Sequence, residues 1–120
     1  GDTLRGALRL LTGTLLGVFG ARRERLTLTT AFATVGIRGT AVYLDASPHL
    51  VYACTCYGTT ELAGGDTRET VSASHHSPRE LRRTRQGAVD LAPAPMRDHD
   101  DDMLRRLEGL VGRVPPFDTP

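Results

Sequence analysis

At 120 residues, with an ordinary apolar share and a formal net charge of +1, the chain suits one domain with a single modest core. That balance gives no global electrostatic case for nucleic acid, and with no tryptophan and 5% aromatics there is little to stack bases on. No apolar run approaches the roughly 18–20 residues that span a bilayer as a helix, and the opening Gly1-Asp2 is read as leaving room for a targeting segment removed upstream.

The first apolar stretch is interrupted by Gly6, Gly13 and Gly17. Glycine at that density opposes a helix, at about 1 kcal/mol each relative to alanine. Two short strands are therefore expected at residues 7–11 and 14–19, joined at Thr12-Gly13. Arg22-Arg23-Glu24-Arg25 reads as a charged turn, and Leu26-Thr27-Leu28-Thr29 alternates with the period of a half-buried strand. Residues 34–44 continue as strand, with Gly36 and Gly39 placed like bulges or points of close backbone approach. The turn from Asp45 to His49 closes a hairpin onto a strand at residues 50–57. Gly58 to Thr60 breaks that strand before residues 61–63, and Thr70 to Ser74 leans β again.

After Pro78 the arginine-rich run at residues 79–85 reads as a helical turn or an edge strand, and residues 87–91 as a last short strand. Ala92-Pro93-Ala94-Pro95 is a stiff linker that cannot lie inside a helix. A helix is expected over residues 98–111, with aspartates capping its start and Met103, Leu104, Leu107, Leu110 and Val111 on one apolar face. The expectation is a mainly β domain over residues 1–92, with residues 93–120 forming the linker and a C-terminal helix packed on it.

The only two cysteines, Cys54 and Cys56, lie inside the strand at residues 50–57. Side chains two apart on a strand share a face, so both sulfurs project together. That spacing suits two ligands of one metal ion better than an unstrained disulfide. His75, His76 and His99 are the candidate partners. On a strand only one of His75 and His76 would share the cysteines' face, whereas in a loop both reach it. His99 reads either as an ordinary helix-start residue or as a ligand tying the helix to the sheet. Two thiolates with imidazole form a soft-to-borderline set suited to zinc, copper or a two-iron iron–sulfur cluster. His49 reads as a surface turn residue, Asp100-Asp101-Asp102 as helix-capping residues, and Arg38 as a structural donor to backbone carbonyls. No nucleophile elbow, phosphate loop or zinc-protease motif occurs.

The segment Val35-Gly36-Ile37-Arg38-Gly39-Thr40, with the hairpin running to Gly58, resembles the core motif of the FecR domain. That family is named for a periplasmic regulator of ferric-citrate uptake. The resemblance spans roughly residues 13–92 and implies an antiparallel β-sandwich or β-solenoid-like domain in the periplasm. The Cys54-Thr55-Cys56-Tyr57-Gly58 motif and the tail from His99 to Phe117 are similar to a subgroup of short FecR-like proteins. Neither a membrane helix nor a sigma-factor-binding segment is recognisable, so transmembrane signalling is not carried over. The leading expectation is a non-enzymatic domain binding a metal ion or metal cofactor for sensing, sequestration or electron transfer. The alternatives are a structural subunit with an envelope protein partner and a Cys-x-Cys dithiol redox protein.

Overall fold

A computed structural model describes residues 7–20 and 25–118, so the charged turn expected at Arg22-Arg23-Glu24 lies outside the described residues. Eight strands share one sheet: β1 (Ala7–Arg9), β2 (Gly13–Phe19), β3 (Leu26–Thr29), β4 (Thr34–Ala46), β5 (Leu50–Gly64), β6 (Thr67–Ala73), β7 (Ser77–Arg83) and β8 (Val89–Pro93). A helix, α1 (Asp101–Leu110), and a 3-10 turn at Pro116–Asp118 follow. The mainly β architecture with one C-terminal helix is the one expected.

The long hairpin β4–β5 is the spine, and each of its strands serves two neighbours in turn. Strand β4 pairs with β3 over residues 34–37 and with β2 over residues 40–46. Strand β5 pairs with β7 over residues 50–55 and with β6 over residues 58–64. The exchange of partners falls at two glycines with positive φ, Gly39 (54°) and Gly58 (88°). A Cβ on Gly58 would sit 2.4 Å from the Gly39 carbonyl oxygen, and the Thr40 hydroxyl donates to the Tyr57 carbonyl across the same bend. The break expected at Gly58 is thus a bend inside one continuous strand. Arg38, expected to serve backbone carbonyls there, is exposed in β4 opposite Thr59 of β5.

At this bend the sheet curls, and one core collects side chains from both halves. Leu28, Val35, Ile37 and Leu62 come from one half, and Val42, Leu44, Val51 and Leu81 from the other. Two strand expectations need correction. The pairing is antiparallel except between β1 and β3, which run parallel, because the short connection after β1 carries the chain to a different neighbour, β4. The arginine-rich run is neither a helical turn nor an edge: β7 lies between β5 and β8, with Leu81 buried and Arg82 turned out.

A second apolar cluster lies on the opposite face of β4 and β5, built from Tyr43, Tyr52, Cys54, Cys56 and Tyr57 with Leu104 of α1. The chain after β8 covers this face. Asp100 caps the helix by accepting from the Met103 N–H at 2.9 Å. Gly112, at φ 74°, ends it, with Arg113 N–H donating to the Glu108 carbonyl at 2.9 Å and Gly112 N–H to Gly109 at 3.2 Å. The helix does not dock on the whole apolar face expected of it. Leu104 is buried, but Leu110 is 82% and Val111 57% exposed, and Met103 also faces solvent. Polar contacts set the rotation instead: Glu108, one turn after Leu104, is buried with the Tyr57 hydroxyl donating to it at 2.9 Å.

Two glycine substitutions should act with opposite sign. Gly58→Ala meets both a positive φ and the Gly39 carbonyl, and should destabilise by roughly 1–3 kcal/mol. Gly109→Ala lies in the helix with nothing within 4 Å of its Cβ position, and should stabilise by about 0.5–1 kcal/mol. Denaturant titration of both variants reads the two signs. A neutral Gly58→Ala would show that the bend does not need glycine.

Candidate metal centre

Cys54 and Cys56 occupy alternate positions of β5 and both face the second cluster. Their sulfurs lie 3.8 Å apart and are free thiols, well beyond the ~2.05 Å of a disulfide. His76 lies in the bend between β6 and β7, not on a strand. Its N–H donates to the Cys56 carbonyl at 2.7 Å, and its φ of 59° is left-handed. A non-glycine residue held there costs about 1–2 kcal/mol, and here that conformation accompanies an Nδ1 set 3.5 Å from Cys54 Sγ.

His99 arrives from the other side, in the linker ahead of α1. Asp98, immediately before it, is also left-handed, at φ 64°. The His99 ring stacks on Tyr43 with centroids 4.5 Å apart. Its Nδ1–H donates to the Arg97 carbonyl at 2.7 Å, which leaves the Nε2 lone pair facing Cys56 Sγ at 3.4 Å. The linker is itself pinned: the Tyr52 hydroxyl donates to the Pro95 carbonyl at 2.8 Å and accepts from Arg97 N–H at 3.2 Å.

The four donors of Cys54, Cys56, His76 and His99 all lie within 4.8 Å of one another. A zinc ion held tetrahedrally at about 2.3 Å from sulfur and 2.0–2.1 Å from nitrogen sets sulfur–sulfur edges of roughly 3.8 Å and sulfur–nitrogen edges of roughly 3.5 Å. The observed sulfur–sulfur spacing of 3.8 Å and sulfur–nitrogen spacings of 3.5 and 3.4 Å are edges of that size. These residues can hold one such ion.

His75 stands outside this set. Its Nε2 lies 2.8 Å from both carboxylate oxygens of Asp101, and His76 Nε2 lies 2.6 Å from one of them. Two such donors sharing a metal would be about 3.3 Å apart at the same bond lengths, so these are direct hydrogen bonds. Asp101 therefore accepts from His76 Nε2–H and fixes the tautomer whose Nδ1 faces the thiols, while His75 braces the carboxylate. A carboxylate or carbonyl behind a ligating imidazole is the usual support of a metal site, and here each imidazole has one. Of the sequence candidates, the structure gathers Cys54, Cys56, His76 and His99, and sets His75 one bond further out.

Sequence reasoning missed Asp101 as more than a cap, and missed Tyr43, Tyr52 and the Arg97 carbonyl altogether. Asp101 carried no signal, since aspartate in a first helical turn is ordinary and its partners are more than twenty positions away.

The electrostatics follow from one shared proton. The Cys56 thiol donates to Cys54 Sγ, and with help from His99 and His76 this pushes the Cys54 thiol down to about 5 against the opposing effect of burial. Cys56 is pushed up, first by donating that proton and then by burial. Burial works to lower His99, but the Cys54 thiolate and the Arg97 carbonyl outweigh it and raise the imidazole. Burial works to raise Asp101, yet His76 and His75 hold its carboxyl below the usual range.

No protein-family model and no curated protein matches this chain. Among solved structures it is similar to two crystal structures, at 1.65 and 2.50 Å, of a "putative anti-sigma factor" from Parabacteroides distasonis ATCC 8503. Both give a TM-score of 0.60, at 13% and 12% identity, over 91% and 90% of this chain. The likeness is one of fold. The chain spans about half the length of those proteins, 50% and 49%. Among the described residues no helix is long and apolar enough to cross a membrane.

Metal-free protein should carry one thiolate per chain at neutral pH, titrating away near pH 5. Because the Cys54 pKa is lower folded than unfolded, its contribution to stability is complete above the unfolded thiol pKa of about 8.5 and is lost as pH falls through 5. Ultraviolet thiolate absorbance against pH checks this. An absorbance that rises only above pH 8 would mean that the thiol–thiol bond does not form.

Proposed function

We propose that this chain is a non-enzymatic, metal-binding domain of an envelope signalling protein, holding one ion of the zinc class through Cys54, Cys56, His76 and His99. The observation that carries it is the cluster of four donors within 4.8 Å of one another, three of whose edges have the lengths of a zinc tetrahedron, with the second nitrogen of each imidazole tied to a fixed acceptor. Four protein donors leave a tetrahedral ion no open position, which is the pattern of a structural or sensing site rather than a catalytic one. Zinc fits this set better than the other expected cofactors. A two-iron cluster puts its ligands in pairs on separate irons and needs more room than a mutual 4.8 Å allows. Electron-transfer copper takes one thiolate with two imidazoles.

The signalling setting rests on the fold shared with the anti-sigma-factor structures and on the FecR-like motif at Val35-Gly36-Ile37-Arg38-Gly39-Thr40. That motif forms the β4 side of the bend on which the curled sheet depends. On this reading the domain works in the periplasm, and its partner is another protein of the envelope signalling apparatus. The lowered Cys54 pKa favours one competitor, a dithiol redox protein, and the same experiment separates the two.

Protein purified without a histidine tag should contain about one zinc per chain, and cobalt substitution should give the absorption of a tetrahedral thiolate site. Cys54→Ser and Cys56→Ser should each lose most of the metal, and wild-type protein should melt lower after chelation. Full metal content in both variants would overturn the assignment. Thiols that oxidise reversibly to a disulfide with no metal bound would favour the redox reading.

A further inference from the structure

We propose that metal occupancy latches residues 94–118 onto the outer face of the β4–β5 hairpin, docked when the ion is held and released when it is removed. This rests on the metal reading above and concerns how that site is regulated. The ligands are divided between two bodies. Cys54, Cys56 and His76 belong to the sheet and its β6–β7 bend, whereas His99 belongs to the strap that follows β8. Asp101, which fixes the His76 tautomer, is the first residue of α1 and so also travels with the strap. An ion bound by the sheet alone would have three donors and one open position, and docking supplies both the fourth donor and the carboxylate behind the third.

Without the ion, the strap is held by contacts that are individually modest. Helix α1 has ten residues, a length that is marginal on its own in water. It buries one large apolar side chain, Leu104, and leaves Met103, Leu110 and Val111 in solvent. Phe117 packs on Tyr57 and His75, and His99 and Arg97 lie over the Tyr43 and Tyr52 rings; the remaining attachments are polar, from Tyr52 to Pro95 and Arg97, from Arg97 to Asp45 and from Tyr57 to Glu108. Each is a modest net contribution, since the undocked groups bond to water. Release would uncover Tyr43, Tyr52, Tyr57, Leu16 and Val18, an aromatic and aliphatic face of the sheet that the docked strap hides. The metal state is thereby converted into exposure or burial of that face.

Linkage makes the idea testable from both directions, because zinc must favour docking by the same factor by which docking favours zinc. The first arm is amide hydrogen exchange on wild-type protein, zinc-loaded and chelated, with metal content measured on the same samples. Amides of residues 94–118 should lose protection at least about fivefold on chelation, within the usual range for coupled sites, while the inner-core amides of β4 and β5 change less. The second arm measures zinc affinity of Tyr57→Phe, which loosens the far end of the strap and touches no ligand. It should bind zinc severalfold more weakly than wild type. One-to-one zinc binding with unchanged exchange, or with unchanged affinity in Tyr57→Phe, would overturn the latch and leave the metal site standing. Failure of wild-type protein to bind zinc at all would overturn both.

Discussion

Strand β5 is covered on both faces, and the rest of the structure is arranged around that fact. Val51, Ala53 and Thr55 point into the curl of the sheet, while Tyr52, Cys54 and Cys56 point the other way and are equally hidden. An antiparallel strand commonly has one wet face and alternates accordingly. Here the sequence Val51-Tyr52-Ala53-Cys54-Thr55-Cys56-Tyr57 has no charged residue to give a wet face, so something must cover its second side. The strap after β8 does so, and it is held wherever β5 offers a polar atom. Tyr52 takes Pro95 and Arg97, the thiols take His99, and Tyr57 takes Glu108.

Burying polar atoms in such a face is costly unless each has a partner. The cluster meets that condition through a chain of partners rather than through isolated pairs. His75 braces Asp101, Asp101 holds His76, His76 faces Cys54, Cys54 accepts from Cys56, and Cys56 faces His99, whose other nitrogen ends on the Arg97 carbonyl. Every member is engaged, yet the two sulfurs make the weakest links, since thiols are poor donors and acceptors. A metal ion is the partner that would replace those weak contacts with strong ones, at spacings the protein already provides.

The parts of this arrangement that were legible in the sequence are those governed by short-range geometry. Period-two alternation placed β3 and put both thiols on one face, the Gly36–Gly39 region marked the bend in β4, and the aspartates marked the start of the helix. What stayed hidden depends on tertiary partners. Gly58 looked like a terminator because glycine usually breaks strands, but here a positive φ opposite Gly39 lets the strand turn and continue. The arginines of β7 suggested an edge, although alternation buries Leu81, turns Arg82 out and leaves Arg79 and Arg83 half-buried. The helix face was misjudged because apolar periodicity assumes that hydrophobic burial alone sets the rotation. The bonds made by Asp101 and Glu108 set it instead.

The four candidate donors are spread widely along the chain. A zinc knuckle draws its donors from neighbouring residues and can bind while the rest of the chain is still open. Here the two cysteines are local, but His76 and His99 come from the β6–β7 bend and from the strap. Four donors therefore converge only after β5 has been paired on the correct face and the chain has returned past β8. Two left-handed residues, His76 and Asp98, must also be held in conformations that an unfolded chain seldom occupies. An unfolded chain thus presents two thiols and no cage, and an ion binding to the cage discriminates strongly for the native state. The same division places the fourth donor, His99, on the segment that covers the outer face of β5, so the geometry that gathers the donors is also the geometry that covers that face.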